Sequence, residues 1–453
     1  MKGAFEIRNT MKKLLFWVVT GPLLAQDPLS LREAVRLALK ENKAIAAGEA
    51  GIRASAARVD EAHAGMLPKL NYSETFTRSD NPVFVFSSLL TQHQFGLENF
   101  NVGPLNRPDS LNNFQSLLTV DQVLYDAGQT RNAVKSADLS RQMTREEQRR
   151  TEMQVIMGVV RAYYGAVLAS DSLKTAEQAL QSAEADLKRA ESVRAAGMST
   201  EVDVLSIRVH LAAVTEQRIQ RAADLDVAKS ALNDALGLPL DASHNLTTAL
   251  SPLGLPDLEL ASLEHEASST RPEARETHFA AGLAKTQSDS ARSSLLPQVT
   301  VRAAFEADRQ GFADRGGANW MASVGLRWNL FNGLADKARI EESSHWLTRA
   351  HADEQRMDSA VRLEVRRAWA DLRAAQQRIE VAKAAVAEAE ESLRITQNRY
   401  EAGMSNVTDL LRNETVALES RTRYLAAVHD ERIAATMLEL ASGRLSADSE
   451  VLN

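Results

Sequence analysis

The tetrapeptide Ala-Gly-Met-Ser occurs twice in this chain of 453 residues, as Ala196-Gly197-Met198-Ser199 and as Ala402-Gly403-Met404-Ser405. The offset between the two copies is 403 − 197 = 206. The same offset relates further pairs of matching segments: Leu124-Tyr125-Asp126 with Leu330-Phe331-Asn332, Arg161-Ala162-Tyr163 with Arg367-Ala368-Trp369, Asp203 with Asp409, Leu205 with Leu411, and Gly237 with Gly443. A constant offset over that distance predicts two copies of one structural unit, with helical arms of equal length.

Upstream of these segments the offset changes, because Leu67-Pro68 matches Leu296-Pro297 at 297 − 68 = 229. The first copy therefore has 229 − 206 = 23 extra residues, which fall in a predicted loop rich in Asn, Pro and Gly from Ser79 to Asn113. A second segment rich in Gly and Pro separates the copies. The sequence predicts a first repeat at 26–237, a linker at 238–256 and a second repeat at 257–453.

Each unit is predicted to run as helix, strand, loop, strand, long helix, turn and helix. The first helix is expected to begin near Ser30, which forms a capping-box pattern with Glu33. Period-two alternation predicts strands at about 68–78, 114–126, 297–308 and 319–331. In the last of these one face is apolar: Ala322, Val324, Leu326, Trp328 and Leu330. The alternation fits a membrane barrel with a water-filled interior, and it also fits a soluble, half-buried sheet.

Long coiled helices are predicted at about 127–236 and 334–442. Between Ala127 and Ala195 there is no proline and only three glycines, and between Leu334 and Ala402 there is neither. Each stretch could extend about 100 Å at 1.5 Å per residue. Large and small residues alternate along a narrow heptad seam in both copies: Leu173, Ala176, Leu180, Ala183, Leu187 and Ala190, then Ile379, Ala382, Val386, Ala389 and Leu393. Such helices suit a hollow helical tube or a soluble coiled-coil rod.

The N-terminus has the pattern of an export signal over residues 1–25. Lys12 and Lys13 precede an apolar stretch at 14–19, and cleavage is expected after Ala25. Met11 is an alternative start, and a buried N-terminal helix is an alternative interpretation. Beyond this segment no run of about 18 apolar residues occurs, so no membrane-spanning helix is expected.

Composition and motifs argue against several functions. The net charge of −7 is spread along the chain without a basic face, so nucleic acid is not an expected partner. The absence of cysteine excludes disulfides, thiolate metal sites and a cysteine nucleophile. No phosphate-binding glycine loop or G-x-S-x-G motif occurs, and His345 and His351 lie six residues apart, which is not the spacing of helical metal ligands. The sequence thus predicts neither an enzyme nor a cofactor or metal site.

The order and spacing of these segments resemble those of the TolC-like outer-membrane efflux protein family. The resemblance rests on the duplication, the Leu-Pro before each first strand, and the Leu-Tyr-Asp-Ala-Gly at 124–128. It rests also on Arg399-Tyr400-Glu401-Ala402-Gly403 followed by Asp409-Leu410-Leu411. It covers nearly all of the chain after the export signal.

The resemblance implies a mixed α and β membrane protein. Three protomers would form a homotrimer with one twelve-stranded β-barrel in the lipid of the outer membrane, continued by a helical tunnel through the periplasm. Its tip would contact a periplasmic adaptor protein and, with it, an inner-membrane pump. The chain would then be a passive exit duct of a tripartite efflux or type I secretion system.

The hairpin tips are the predicted gate. Gly197 and Gly403 are expected to end a helix in the left-handed conformation, and the next helix is expected to restart near Ser199 or Ser405. Together with Met198 and Met404 these residues form the expected adaptor contact. The resemblance favours Asp409, with Asp203 as its counterpart, for an acidic ring, and Tyr400 with Arg399 for closing contacts. Plain interpretations are helix-dipole compensation for the aspartates and core packing for Tyr400.

Two tip positions depart from the family's best-known member. Ser405 stands where that member has a basic residue, and Arg412 stands where it has a second acidic residue. A gate here is therefore expected to use different links, with weaker cation selectivity. A periplasmic coiled-coil adaptor or a structural scaffold without a pore are the alternative functions, although adaptors carry one hairpin and this chain has two.

Overall fold

The structure is a computed structural model that describes residues 28–197, 199–254 and 259–453. The predicted export signal at 1–25 lies outside these ranges. In the first half of the chain the elements follow in this order: β1 Pro28–Leu29, α1 Leu31–Glu41, α2 Lys43–His63, β2 Lys69–Ser79, α3 Pro82–Thr91, α4 Val102–Asn106, β3 Leu111–Tyr125, α5 Gln129–Ala195 and α6 Glu201–Leu236. The first helix begins as expected, because Ser30 and Glu33 form a reciprocal capping box.

The second half also begins with a short strand and repeats the order of the first half, but without counterparts of α3 and α4. Its elements are β4 Asn245–Leu246, α7 Leu260–Thr270, α8 Pro272–Ser293, β5 Gln298–Arg309, β6 Gly317–Arg327, α9 Ala335–Glu401 and α10 Val407–Ser442. Helices α5 and α9 each have 67 residues, and α6 and α10 each have 36. Helices α1 and α2 and strand β2 begin at the larger offset from α7, α8 and β5 (260 − 31 = 229). Strand β3 and helices α5 and α6 begin at the smaller offset from β6, α9 and α10 (317 − 111 = 206).

The prediction of a loop without helices between the first two strands is wrong. The stretch from Ser79 to Asn113 contains the ten-residue helix α3 and the short helix α4. Asn81 caps α3 by accepting hydrogen bonds from the backbone N–H groups of Val83 and Phe84, at 2.9 and 3.2 Å. The last strand also differs from the expectation, since it spans 317–327 instead of about 319–331.

The four long strands form one antiparallel sheet in the order β2-β3-β5-β6. Because paired residues share a face, the register joins side chains into rows across the sheet. One row is formed by Tyr72, Leu118, Phe305 and Trp320. The next is formed by Leu70, Val120, Ala303 and Ala322. Several of these apolar side chains are highly exposed, with Trp320 at 80%.

The opposite face of the sheet is polar. Its rows include Asp121, Arg302 and Ser323, and also Gln115 with Asp308. On this face Arg302 Nε donates to Asp121 Oδ1 at 2.6 Å. The sheet thus presents an exposed apolar surface on one side and a hydrogen-bonding surface on the other.

One ion pair lies on the apolar face, near the end of the sheet that carries α3. The guanidinium of Arg309 contacts the Glu74 carboxylate at 2.9 Å. The hydroxyl groups of Tyr72 and Ser116 also donate to Glu74. Every charge at this point is therefore matched by a partner, which lowers the cost of placing it among apolar side chains.

The helices leave the opposite end of the sheet and form two hairpins, α5 with α6 and α9 with α10. In α5 the small residues of the predicted seam are the buried ones, Ala176, Ala183 and Ala190, whereas in α9 the buried seam residues are Ile379 and Ala389. Leu180 and Val386 are half-buried. Alanine at these steps allows close approach of the paired helices.

The main apolar core lies where α1, α5, α6, α7, α9 and α10 meet, around Val159, Val160, Tyr163 and Tyr164. The Tyr163 hydroxyl donates to the Leu29 carbonyl at 2.8 Å and accepts from the Thr248 N–H at 2.9 Å. It thereby holds the small parallel sheet of β1 and β4 against α5. Helix α5 is also long and apolar enough to cross a membrane by composition, with a window of mean hydropathy 1.2 of which half is buried within the fold. The packing of its apolar centre in this core accounts for that composition.

Candidate functional site

The two hairpin tips are built alike. Gly197 has φ +76° and Gly403 has φ +69°, so each ends its long helix in the left-handed region that glycine adopts without strain. Beyond Gly403, the Met404 N–H bonds back to the Arg399 carbonyl at 2.8 Å. Met198 lies outside the described residues.

The expected serine cap of the first tip is wrong, because Thr200 is the N-cap of α6. The Thr200 Oγ1 accepts from the Asp203 N–H at 3.2 Å, and Asp203 Oδ2 accepts from the Thr200 N–H at 3.1 Å. Ser199 instead donates its hydroxyl to the Asp203 carboxylate at 3.0 Å. These hydrogen bonds, with that of the Thr200 backbone foremost, lower the pKa of Asp203. Asp203 is therefore engaged in a capping box at the start of α6.

The second tip has Asn406 as its cap, and the expectation of Ser405 is also wrong. Asn406 Oδ1 accepts from the Asp409 N–H at 2.8 Å. The Asp409 side chain is exposed and receives a 3.4 Å hydrogen bond from the Ser405 hydroxyl. Because no reciprocal capping box forms here, the Asp409 carboxylate accepts fewer hydrogen bonds than that of its counterpart Asp203.

The two residues expected to supply closing contacts have different environments. Arg399 is exposed, and its Nη2 donates to the Met404 carbonyl at 3.4 Å, within its own turn. Tyr400 packs on a small apolar cluster formed by both hairpins: Ala190, Val204, Ile207 and Val407, with Leu187 and Leu411 at its margin. Burial raises the pKa of Tyr400, and Asp203 adds to this effect. Tyr400 thus joins α9 to the first hairpin within one chain.

A partly buried polar cluster lies beside Tyr400, and sequence reasoning missed it. It consists of Asp186 and Arg189 from α5, His210 from α6, Glu401 from α9 and Glu414 from α10. Arg189 Nη1 lies 3.4 Å from Asp186 and 3.1 Å from Glu401. His210 Nε2 lies 3.3 Å from Glu414 Oε2. These contacts link all four helices of the tip by charged groups.

The two carboxyl groups at the centre of this cluster, those of Asp186 and Glu414, have pKa values shifted in opposite directions. Burial, together with the neighbouring Glu414 carboxylate, raises the pKa of Asp186 to about 7. The pKa of Glu414 is lowered, because hydrogen bonding from His210 and Asp186 outweighs its burial. Just below pH 7, Asp186 therefore mostly holds a proton between the hairpins while Glu414 is charged. The signal in the sequence was the position of Asp186, three residues after Ala183 and four before Ala190, on the inner side of the seam.

No metal site is formed by the described residues, since no group of three or more His, Cys, Asp or Glu side chains is arranged to hold an ion. The nearest approach is Glu354, which lies 2.9 Å from His278 and 3.4 Å from His351. Both imidazoles are exposed on the helical surface, away from the tips.

Comparison with protein families gives a match to outer membrane efflux proteins over residues 34–238 and 263–444. The chain belongs to this family. The match covers both halves and leaves out only the ends and the connection between them.

Individual relatives agree with the family. The chain is 28% identical to the CyaE protein of Bordetella pertussis over 436 residues, 95% of this chain and 87% of that protein. It is 24% identical to the alkaline protease secretion protein AprF of Pseudomonas aeruginosa, over 98% and 91% of the two chains. The solved CmeC outer membrane channel of Campylobacter jejuni has the same fold, with a TM-score of 0.78 at 15% identity over 99% of this chain and 96% of that one.

The resemblance identified in the sequence is therefore confirmed. The chain is a channel protein of the outer membrane that extends into the periplasm. The clusters around Tyr400 and Asp186 lie near the hairpin tips, at the end of the long helices away from the sheet.

The raised pKa of Asp186 predicts that the free energy of unfolding depends on pH. Between its ordinary pKa of 3.8 and about 7, the folded protein keeps a proton that the unfolded chain has lost. The free energy of unfolding should therefore fall as pH rises through about 5 to 7. Asp186→Asn should flatten this slope and raise the melting temperature at pH 8 relative to wild type. Thermal unfolding of the detergent-solubilised protein across this range measures both.

Asp226→Asn is the matched control, because it makes the same substitution at an exposed position on α6. It should leave the slope between pH 5 and 7 unchanged. A wild-type melting temperature that is constant over this range, or an Asp186→Asn variant with the wild-type slope, would show that Asp186 is not protonated in the folded tip.

Proposed function

We propose that three copies of this chain form one passive duct across the outer membrane. Each copy would give four strands to a twelve-stranded barrel and two hairpins to a periplasmic tunnel. The observation that carries this proposal is the sheet, with its exposed apolar face, its polar face and its two free edges. An apolar exterior and a polar interior are what a water-filled membrane barrel requires.

The free edges limit how the sheet can be completed. Within the described residues, β2 and β6 each pair on one side only. Four strands are too few to close on themselves, since the smallest membrane barrels of this kind have eight. Because β2 and β6 run in opposite directions, β6 of one copy can pair antiparallel with β2 of the next. Three copies arranged in this way around a threefold axis would close a ring of twelve strands, as the family resemblance implies.

The same threefold arrangement would bring the helical hairpins of the three copies together into one tube. We infer that the chain is a tandem duplication, with repeats at 26–237 and 257–453 joined by the linker 238–256. The matched helices of 67 and 36 residues support this inference. Six hairpins of one length would form a tube of about 100 Å, with a wetted interior. Its length would carry the duct across the periplasm.

The expected partners are a periplasmic adaptor and an inner-membrane pump. Relatives of this chain include an outer membrane efflux protein, BepC of Brucella suis, and the alkaline protease secretion protein AprF. Both names describe proteins that take part in export. We propose that the tip turns at Gly197, Met198, Ser199, Gly403, Met404 and Ser405 meet the adaptor. Met404 is 64% exposed at its turn, as a contact residue must be.

The gate is proposed to lie at these tips. Three copies of Asp409 would approach the threefold axis, where like charges in a narrow pore interact more strongly than on an open surface. Asp203 would contribute less, because its carboxylate is engaged by Thr200 and Ser199. The closed state would be held by the packing of Tyr400 on the first hairpin and by the Arg189–Glu401 ion pair. Arg399 would act within its own turn.

Removing the closing contacts should open the channel. Tyr400→Ala combined with Glu401→Gln should raise single-channel conductance in planar bilayers, because it removes the apolar and the ionic link between the hairpins. Asp409→Ala should reduce block by added divalent cations. Asp226→Ala, the same loss of charge on the shaft of α6, should leave cation block unchanged. Unchanged conductance in the double variant together with unchanged block in Asp409→Ala would place the constriction elsewhere.

Arginine substitutions test the barrel itself. Val301→Arg and Leu326→Arg place a charge on the apolar face and should each cost about 2–4 kcal/mol at mid-membrane depth. Thr300→Arg and Ser323→Arg, on the same two strands, face the opposite side and should be tolerated. The measurement is the yield of heat-resistant trimers in the outer-membrane fraction. Equal yields from both sets would mean that the sheet does not lie in lipid.

A further inference from the structure

Residues 80–110, here called the insertion, connect β2 to β3 at the end of the sheet opposite the helices. The insertion contains the extra segment of the first half, which has no counterpart in the second half. Since the helices extend into the periplasm, the insertion lies at the outer end of the protein.

The insertion is folded onto one particular face of the sheet. The Asn319 side chain donates to the carbonyl of Thr91, the last residue of α3, at 3.3 Å. A Cβ built on Gly317 would lie 1.9 Å from the same carbonyl, so only glycine allows the helix to come this close. Asn319 and Gly317 share the face of Glu306 and Asp308. This is the polar face, which faces the lumen if the barrel closes as proposed.

A chain of buried amides fixes this position. Gln92 is 2% exposed, and its Nε2 donates to Asn113 Oδ1 at 2.8 Å and to the Asn112 carbonyl at 3.0 Å. Asn113 Nδ2 in turn donates to Asp308 Oδ1 at 2.6 Å. Gln92, Asn113 and Asp308 are all buried, and breaking such a network leaves polar groups without partners. The insertion is therefore held at one place on three strands.

A second, exposed contact lies at the turn of the other hairpin. Gln310 Nε2 donates to Gln94 Oε1 at 2.7 Å. This bond joins the insertion to the connection between β5 and β6. Both strand connections of the protomer are thus tied together at the outer end.

The surface of the insertion is apolar, although it covers a polar face. Phe95 packs edge-on against Phe86 and Phe100, with ring centroids at 4.8 and 5.1 Å. Other large side chains are left exposed: Val83 at 77%, Leu97 at 88% and Val102 at 73%. Exposed apolar side chains grouped in this way usually mark a surface with a function.

We propose that the insertion forms a selective constriction at the outer mouth of the channel, anchored by Gln92, Asn113 and Asp308. This proposal rests on the proposed trimer, in which three insertions would converge over one lumen. Their apolar side chains would narrow the opening and disfavour large hydrated solutes, including entry from outside. The proposed gate lies at the periplasmic tips, and this constriction lies at the other end of the same duct.

Single cysteines can test this directly, because the chain has none of its own. Ser323→Cys places a thiol on the polar face, further into the sheet than Asn319. Ala313→Cys places one at the exposed turn outside the anchor. Intact cells are treated with a small maleimide or with a maleimide carrying a large hydrophilic polymer.

With the insertion intact, Ser323→Cys should react with the small reagent and react severalfold more slowly with the polymer reagent. Replacement of residues 82–108 by a short Gly-Ser segment, or Gln92→Ala alone, should remove that difference. Ala313→Cys should react equally fast with both reagents in every background. Gln92→Ala keeps the test valid if the shortened chain fails to assemble.

Two results would contradict the proposal in different ways. If the polymer reagent reaches Ser323→Cys equally fast with and without the insertion, the constriction is wrong and the channel stands. If the small reagent fails to reach Ser323→Cys even after shortening, while Ala313→Cys reacts, the polar face does not line an open lumen. The proposed barrel would then be wrong as well.

Discussion

Backbone hydrogen bonding at the edges of the four-stranded sheet is the constraint on which the rest of this structure depends. Strands β2 and β6 each have one side without a partner strand in the described part of the chain. In a bilayer no water satisfies such groups, and each one left open costs several kcal/mol. A protomer therefore cannot place its sheet in lipid alone. The proposed closure by neighbouring copies would satisfy the edges, and it would also fix the positions of the helices that leave the sheet.

Within one protomer the helical hairpins are held by matched contacts in the two halves of the chain. In the first half, the bend between α1 and α2 packs against Gly237, which ends α6. In the second half, the bend between α7 and α8 packs against Gly443, which ends α10. Both glycines have positive φ. A Cβ would lie 3.1 Å from the Glu41 carbonyl at the first and 3.1 Å from the Arg271 nitrogen at the second. Equal helix lengths then bring both tips to one level. There the packing of Tyr400 and the ion pair of Arg189 with Glu401 connect the two hairpins.

The sequence predicted most of this architecture because its signals are local or periodic. The two offsets located every matched element, and the strand bounds differ by only a few residues. The caps were misplaced by one position because Ser, Thr and Asn all cap well, and the side-chain geometry of Asp203 and Asp409 decides among them. Helix α3 was missed because its sequence, PVFVFSSLLT, is apolar without a helical period and lies among turn-forming residues. The contact between Asp186 and Glu414 joins helices from different halves of the chain, which no local pattern reveals.

The most direct test of this account is a cross-link between the edge strands of neighbouring copies. Asn71→Cys on β2 would be combined in turn with Met321→Cys, Ser323→Cys and Gly325→Cys on β6, all of which share the polar face. The account predicts that oxidation of membranes gives covalently linked trimers for at least one of these pairs. Pairs of Asn71→Cys with Ala322→Cys or Val324→Cys, on the apolar face, should give none. A protein that stays monomeric with every polar-face pair would contradict closure of the sheet by neighbouring copies.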